Sequence, residues 1–301
     1  TRSLGLNVGA RGNYSNSYNK YHGDIDNNSR VQSTNIYTYA TAYGYLANYK
    51  LYYYAGFGLS GNFTRQDNIK ENVWTPQPSF FIRYRLGNWF LALNGSMTQR
   101  QPSSAMLSDT EFKINNFEYL RGNPRLSSWT QYRAGFKING TVGKVSLMNS
   151  LQYNYDRKPV CGITIRETSD QLVKFINTYA NAKRFSSLSN YFYVQWSLNA
   201  NCSMSGGAQF ISYRAKGEHF NRKLNTWKFD MAFDWNAGPW NAGIQWNSRS
   251  ESIFGETRNI SSPSNSLYVK YRIGDFTFGL TAENLLVSHG FYEKDFVEAP
   301  T

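Results

Sequence analysis

The chain has 301 residues, 17% of them aromatic, with 32 Lys and Arg against 20 Asp and Glu, a formal net charge of +12 and a mean hydropathy of −0.57. So polar a chain, with no apolar run of about 18 residues, excludes a helical membrane protein. The basic balance ordinarily raises nucleic acid as a partner, but these cations are scattered, with no basic helix, RNP-type strand or zinc spacing to read a base. No nucleic acid is therefore expected, and anionic lipid head groups or sugar phosphates at a membrane surface account for the charge.

Taken in order, the chain is a series of runs that alternate apolar and polar residues, the period of a β-strand. Leu4, Leu6, Val8 and Ala10 open it from the first residues, which reads as a sequence that starts inside a larger protein. A polar loop is expected over 12–33. Strands over 34–47 and 50–62 are joined at Asn48-Tyr49, with Tyr37, Tyr39, Tyr43 and Tyr45 on one side of the first arm. Strands over 78–86 and 89–98 flank Gly87-Asn88, and a long loop follows over 99–128. Tyr132 to Ile138 and Val145 to Tyr153 flank the turn from Gly140 to Gly143, and 160–167 and 171–182 read less cleanly. Arms over 187–197 and 200–214 precede a loop over 215–223.

The clearest signal is the hairpin from Thr226 to Asn247. Trp227, Phe229, Met231, Phe233 and Trp235 share one face of its first arm, and Trp240, Ala242, Ile244 and Trp246 one face of its second, across the turn Asn236-Ala237-Gly238-Pro239. The Trp residues sit at the ends of the apolar face, where rings half apolar and half wetted suit a membrane interface. After a loop over 251–263, Leu267 to Ile273 turn at Gly274-Asp275 into Phe276 to Ala282. About fifteen strands result, with one more implied beyond Glu283 and no helix between them. Strands of about 10 residues, apolar outside and polar inside, with tight turns at one end and long loops at the other, predict an antiparallel transmembrane β-barrel in one domain. Cys161 and Cys202 are too few for a disulfide scaffold and by parity belong to the outer face.

Two short motifs carry a family resemblance. Phe117-Glu118-Tyr119-Leu120-Arg121-Gly122-Asn123-Pro124-Arg125-Leu126 resembles the GNPxL-type loop before a barrel strand in TonB-dependent receptors, and Thr281-Ala282-Glu283-Asn284-Leu285-Leu286 resembles the signature before their last extracellular loop, especially in the Bacteroidetes branch. The resemblance implies that residues 1–301 are the C-terminal part of a barrel of about 22 strands, with the plug domain and the final strand outside this sequence. It implies uptake of a scarce ligand such as a siderophore, glycan or peptide at the bacterial outer membrane. The implied partners are TonB, acting through the N-terminal part, outer-membrane lipid or lipopolysaccharide, and a surface lipoprotein.

Other motifs carry less. Gly56 to Gly61 matches GxGxxG, yet lies in a strand with no helix after it, so glycines making room beside Tyr52 and Tyr54 explain it better than a phosphate loop. Asp24, Asp26 and Asn28 mimic a calcium loop, but Ser29 and Asn35 occupy the positions of its Gly and Glu. His22, His219 and His289 fall in loops without metal-ligand spacing. No nucleophile arrangement appears, so no enzyme and no cofactor is expected.

The candidate ligand-binding residues are the inward cations Arg83, Arg85, Arg133, Lys137, Lys270 and Arg272, which suit an anionic or polyhydroxyl ligand or a plug, and the loop aromatics Phe117, Tyr119 and Trp129. Against this stand wetted cations, or pairs with Asp230, Asp234 and Glu283, and loop rings packed on their own loops. A passive porin or a surface β-sheet binding protein shares the strand pattern.

Overall fold

The computed structural model describes residues 3–21, 27–66, 69–169, 172–218, 220–285 and 293–297. In chain order the first elements are β1 (Ser3–Tyr21), β2 (Asn27–Leu46), β3 (Leu51–Gln66), β4 (Ile69–Leu86), β5 (Trp89–Arg100), the helix α1 (Ser104–Leu107), β6 (Glu111–Lys113) and β7 (Glu118–Arg121). Then come β8 (Trp129–Val142), β9 (Val145–Arg157), β10 (Val160–Ser169), β11 (Leu172–Asn181), β12 (Arg184–Ser197), β13 (Cys202–Lys216) and β14 (Asn221–Ala237). The last are β15 (Trp240–Asn247), β16 (Ser250–Phe254), β17 (Thr257–Ser261), β18 (Ser264–Ile273), β19 (Phe276–Glu283) and β20 (Glu293–Val297).

Thirteen strands form one antiparallel wall in the order β1-β2-β3-β4-β5-β8-β9-β12-β13-β14-β15-β18-β19. Among the described residues β1 pairs only with β2, and β19 only with β18. Each connection at one end is tight. Gly87 and Gly274, both at φ +58°, take the left-handed backbone that a two-residue turn demands. At the other end the β5–β8, β9–β12 and β15–β18 connections are long and, with β20 after β19, form two further sheets, β10-β11-β7-β6 and β16-β17-β20. All fifteen runs expected from the alternation are strands, but 160–167 and 171–182 lie in the four-stranded sheet and not in the wall. Their alternation is weak because that sheet packs against neighbouring loops.

Some expected loops are instead regular structure. Residues 12–21 continue β1 and residues 27–33 open β2, their backbones pairing in register as far as Tyr21 opposite Asn27. The loop over 215–223 shortens to the link from β13 to β14, and 251–263 contains the hairpin of β16 and β17. One helical turn, α1, interrupts the strands; Ser103 caps it by accepting from the Met106 N–H.

Burial decides what surrounds the wall. The buried apolar residues are Val31, Leu107, Leu126, Val160, Cys161, Ile176, Ala182, Ala215, Ile253 and Ile260, which cluster at the loop end. Along the wall the apolar face stays open, with Leu6 71%, Val8 78%, Met231 58% and Phe278 62% exposed. A sandwich would bury that face under a second sheet. An uncovered apolar band across thirteen strands instead marks contact with lipid. The aromatic rings close the band at its ends. Trp240 packs on Tyr271 at 4.5 Å beside the turns, and Trp227 on Phe210 at 5.1 Å toward the loops. No helix among the described residues is long and apolar enough to cross a membrane.

Candidate ligand-binding lumen and loop cap

Register extends one polar face across the whole wall. Tyr43 lies opposite Tyr54, Tyr52 opposite Arg83, Ala92 opposite Lys137, Gln209 opposite Lys228 and Asp230 opposite Asn247. All six candidate cations are on it, but they are not brought into one site. Arg83 and Arg85 belong to β4, Arg133 and Lys137 to β8, and Lys270 and Arg272 to β18, six strands further round. The Arg83 guanidinium stands 5.8 Å from the Tyr52 ring and 5.9 Å from Phe90, and Arg85 stands 5.7 Å from Phe90. Arg85 and Arg272 each donate through Nε to the carbonyl of a turn glycine, Gly87 and Gly274, at 3.3 Å. Lys270 sits 5.5 Å from the Tyr268 ring. Aromatic faces and turn carbonyls, each a weak attraction for a cation, leave these groups turned toward the lumen.

The acids take tyrosine hydroxyls. Tyr191 donates to both Asp230 oxygens at 3.2 Å, and Tyr268 donates to Asp234 at 2.7 Å. Lys137 does join other polar groups. With Lys228, Asp230, Tyr191, Gln209 and Gln152 it lines a recess of about 440 Å³ in the wall.

At the loop end the connections fold inward. Val31 and Trp129, both of inward parity, pack with Leu107, Leu126 and Val160. Ser128 donates its N–H and its hydroxyl to Glu71 at 2.9 Å. Phe254 of the β16–β17 hairpin meets Phe185 of β12 edge-on at 5.3 Å. Trp129 is thus a packing residue, the first of β8. Tyr119 carries the Lys174 ammonium 4.1 Å above its ring, while Phe117, 61% exposed at the tip before β7, is open. Lys174 and Arg121 both bind Glu111 on that sheet.

The two motifs act as loop locks. Asn123 donates its N–H to the Met106 carbonyl at 2.7 Å and its side-chain amide to the Tyr179 carbonyl at 2.9 Å, and it accepts from the Arg125 N–H at 2.9 Å. A Cβ on Gly122 would lie 2.1 Å from the Ser108 carbonyl oxygen. At the other motif, Asn284 has φ +59° and donates to the Asn265 carbonyl at 2.6 Å, ending the β18–β19 ladder. Leu286 lies outside the described residues, as do Asp24, Asp26, His22, His219 and His289. Asn35, the last position of the calcium-loop pattern, bonds Asn62 within the wall.

The cysteines differ. Cys202 faces outward opposite Trp235, as expected from parity. Cys161 does not: its strand belongs to the four-stranded loop sheet, where it is buried against Gly255. Burial, with the nearby Glu256 charge, pushes its thiol up to about 11.

Tyr37, Tyr39, Tyr43 and Tyr54, which the sequence shows as strand residues but not as ligand candidates, lie on the inner face. Glycines of the same parity, Gly5, Gly9, Gly56 and Gly58, were the available signal.

No protein-family model matches the sequence, and no curated protein does. Solved structures do match. The copper transporter OprC is similar with a TM-score of 0.68 at 13% identity, over 95% of this chain and 48% of that one. The FrpB iron transporter from Neisseria meningitidis (F3-3 variant) gives 0.63 at 7% identity, over 90% and 44%. The fold is that of the transmembrane β-barrels of these transporters. The ferric enterobactin receptor PfeA from Pseudomonas aeruginosa, an R480A mutant in complex with enterobactin, gives 0.54 at 12% identity, over 93% and 49%. The chain spans about half the length of each of these proteins.

Proposed function

We propose that this chain is part of the barrel of a TonB-dependent outer-membrane receptor, which captures a scarce ligand with its loops and lumen and passes it inward when TonB moves a plug. The observation that carries the reading is a lipid-facing wall of thirteen strands from which long connections fold inward over a polar lumen; the overall fold is similar to that of the copper transporter OprC, at a TM-score of 0.68. A simple porin needs an open lumen. The inturned cap supports gated capture instead. The family motif at Thr281 to Leu286 favours the Bacteroidetes branch, where a surface lipoprotein would meet the loop end and lipopolysaccharide the outer rim of the wall. Chemistry belongs to binding and passage, with no catalytic role for any side chain.

The ligand contacts assigned here are Arg83, Arg85, Arg133, Lys137, Lys270 and Arg272 in the lumen and Phe117 at the cap. Tyr119 takes part through its pairing with Lys174.

The test uses the full-length polypeptide that contains this sequence, placed in a planar bilayer. A receptor closed by a plug gives no steady conductance until urea displaces the plug. Steady ohmic conductance without urea makes the protein a passive porin and ends the proposal.

A further inference from the structure

We infer that the inner wall of β1 to β3 is a stacking track for an elongated acidic oligosaccharide. The inference rests on the receptor reading only in taking the polar face as the lumen, and it names the substrate class that this wall suits.

The track is built by tyrosines lying over glycines. A Cβ placed on Gly5 would come within 2.5 Å of the Tyr43 ring, on Gly9 within 2.6 Å of Tyr39, and on Gly58 within 2.4 Å of Tyr37. A Cβ on Gly56 would meet the Tyr54 hydroxyl at 2.7 Å and the Ser79 hydroxyl at 2.8 Å. A side chain at these glycines would have to displace the ring tip above it, so Tyr37, Tyr39 and Tyr43 rest against the wall, with Tyr37 also meeting Arg11 and Tyr39, and Tyr43 42% exposed. Tyr37, Tyr39 and Tyr54 are accordingly half-buried. Tyr37 and Tyr39 stack at 5.7 Å with 24° between their planes, and Tyr52 continues the surface from Tyr45 at 5.1 Å.

Extent selects the ligand. Tyr37 and Tyr45 are eight residues apart on β2, which at strand rise is roughly 27 Å. A compact metal chelate would use one such platform. A chain of pyranose rings uses several, since each ring offers a face of weakly positive C–H groups to the negative face of a tyrosine. A recess of about 260 Å³ among Asn7, Tyr37, Tyr39, Thr41, Tyr54 and Ser79 gives one sugar ring a polar edge to bind.

Charge selects acidity. Arg11 stands 4.9 Å from the Tyr37 ring, and Arg83 borders Tyr52. The only described carboxylate on β1 to β5 is Glu71, which lies at the loop end and is taken up by Ser128. Among the described residues of the track itself, a uronate carboxylate meets cations and no carboxylate.

Calorimetry on the full-length protein in detergent, titrated with hexagalacturonate and separately with neutral maltohexaose, tests this. Hexagalacturonate should bind, and at least tenfold tighter than maltohexaose. The Tyr39→Leu/Tyr54→Leu variant should lose at least tenfold in affinity while keeping heat-modifiable gel migration. Gly9→Ala, which lifts a ring without removing it, should weaken binding in the same direction. Arg11→Gln, an exposed position where folding is not at stake, should cost threefold or more for the acidic sugar and leave maltohexaose unchanged. No binding of hexagalacturonate, equal binding of the two sugars, or unchanged affinity in the Arg11 and Tyr variants each overturns the track. Binding is read without TonB or an energised membrane. Its failure therefore leaves the receptor reading standing, and an open-pore conductance leaves the track standing.

Discussion

The side-chain amide of Asn123 donates to the main-chain carbonyl of Tyr179 at 2.9 Å, tying the β5–β8 connection to the β9–β12 connection across 56 residues of sequence. Together with the Ser127 hydroxyl and N–H on Asn181, and with Leu126 in the small core, it makes the cap one body. Polar backbone at the mouth of a barrel has to be satisfied somewhere, and here loops satisfy each other.

Asn123→Ala removes that bond and leaves the Tyr179 carbonyl without its donor, at a cost of about 1–3 kcal/mol. Leu126→Ala opens a cavity in the same core for about 2–5 kcal/mol. Both costs fall on the cap and spare the wall. Trypsin should cut at Arg125 faster in both variants, by roughly tenfold for each 1.4 kcal/mol when opening precedes cleavage. Heat-modifiable migration of the barrel should not change. Equal cleavage rates in variant and parent would show that the cap is held elsewhere.

Met231 faces outward between Gly206 and Trp246, and Lys228, three residues earlier, faces the lumen. Met231→Arg puts a charge where lipid is expected and should cost about 2–4 kcal/mol near mid-membrane. Lys228→Gln keeps a polar group in a wetted lumen and should change stability by no more than about 0.5 kcal/mol. Urea titration of the protein folded in lipid vesicles, read by gel migration, measures both. Similar costs at the two positions would contradict the assignment of faces.

The thiol of Cys161 is raised from 9.0 to about 11 by burial first and by Glu256 second. The thiolate is the reactive form, so at pH 8 its fraction is roughly a hundredfold below that of an ordinary thiol. The raised value favours the folded cap fully below pH 9.0, and that contribution is lost as pH rises toward 11. Iodoacetamide should therefore label Cys161 slowly in the folded protein and at the ordinary rate in denaturant. Glu256→Gln, which removes the nearby charge, should speed labelling of the folded form. Rapid labelling of the folded parent would show the cap to be open around β10.

The wall was legible in the sequence because its physics is local. A strand with lipid on one side and water on the other must alternate, and Trp227 to Trp246 shows it residue by residue. The cap was not legible, because its strands pair through contacts such as Phe175 with Glu118, which are parallel and far apart in sequence. Cys161 was misplaced for the same reason: parity locates a face of a strand but not the sheet that the strand joins. Residues 12–21 and 27–33 carry few apolar side chains because β1 and β2 there rise past the apolar band, and period two with little hydrophobic contrast leaves a weak signal. Tyr37, Tyr39 and Tyr43 were visible as a row, yet the glycines beneath them belong to other strands, so only register shows the rings lying down.

Glu251 gives the cap an acid-sensitive joint. Its carboxylate lies 2.6 Å from both the Arg249 and the Arg258 guanidinium, and the Arg258 hydrogen bond, ahead of the two charges, holds it below its ordinary value of 4.5 despite partial burial. A depressed carboxylate favours the folded state above its unfolded value, and that contribution disappears as pH falls through the folded one. The β16–β17 hairpin should thus be at full strength at neutral pH and loosen as pH drops below 4.5. Hydrogen exchange at the buried Ile253 and Ile260 checks this, comparing parent with Glu251→Gln at each pH so that intrinsic exchange cancels. At neutral pH the variant should exchange several-fold faster than the parent, and at pH 3 the two should converge. A difference that persists at pH 3 would assign the role of Glu251 to packing, with its charge irrelevant to the hairpin.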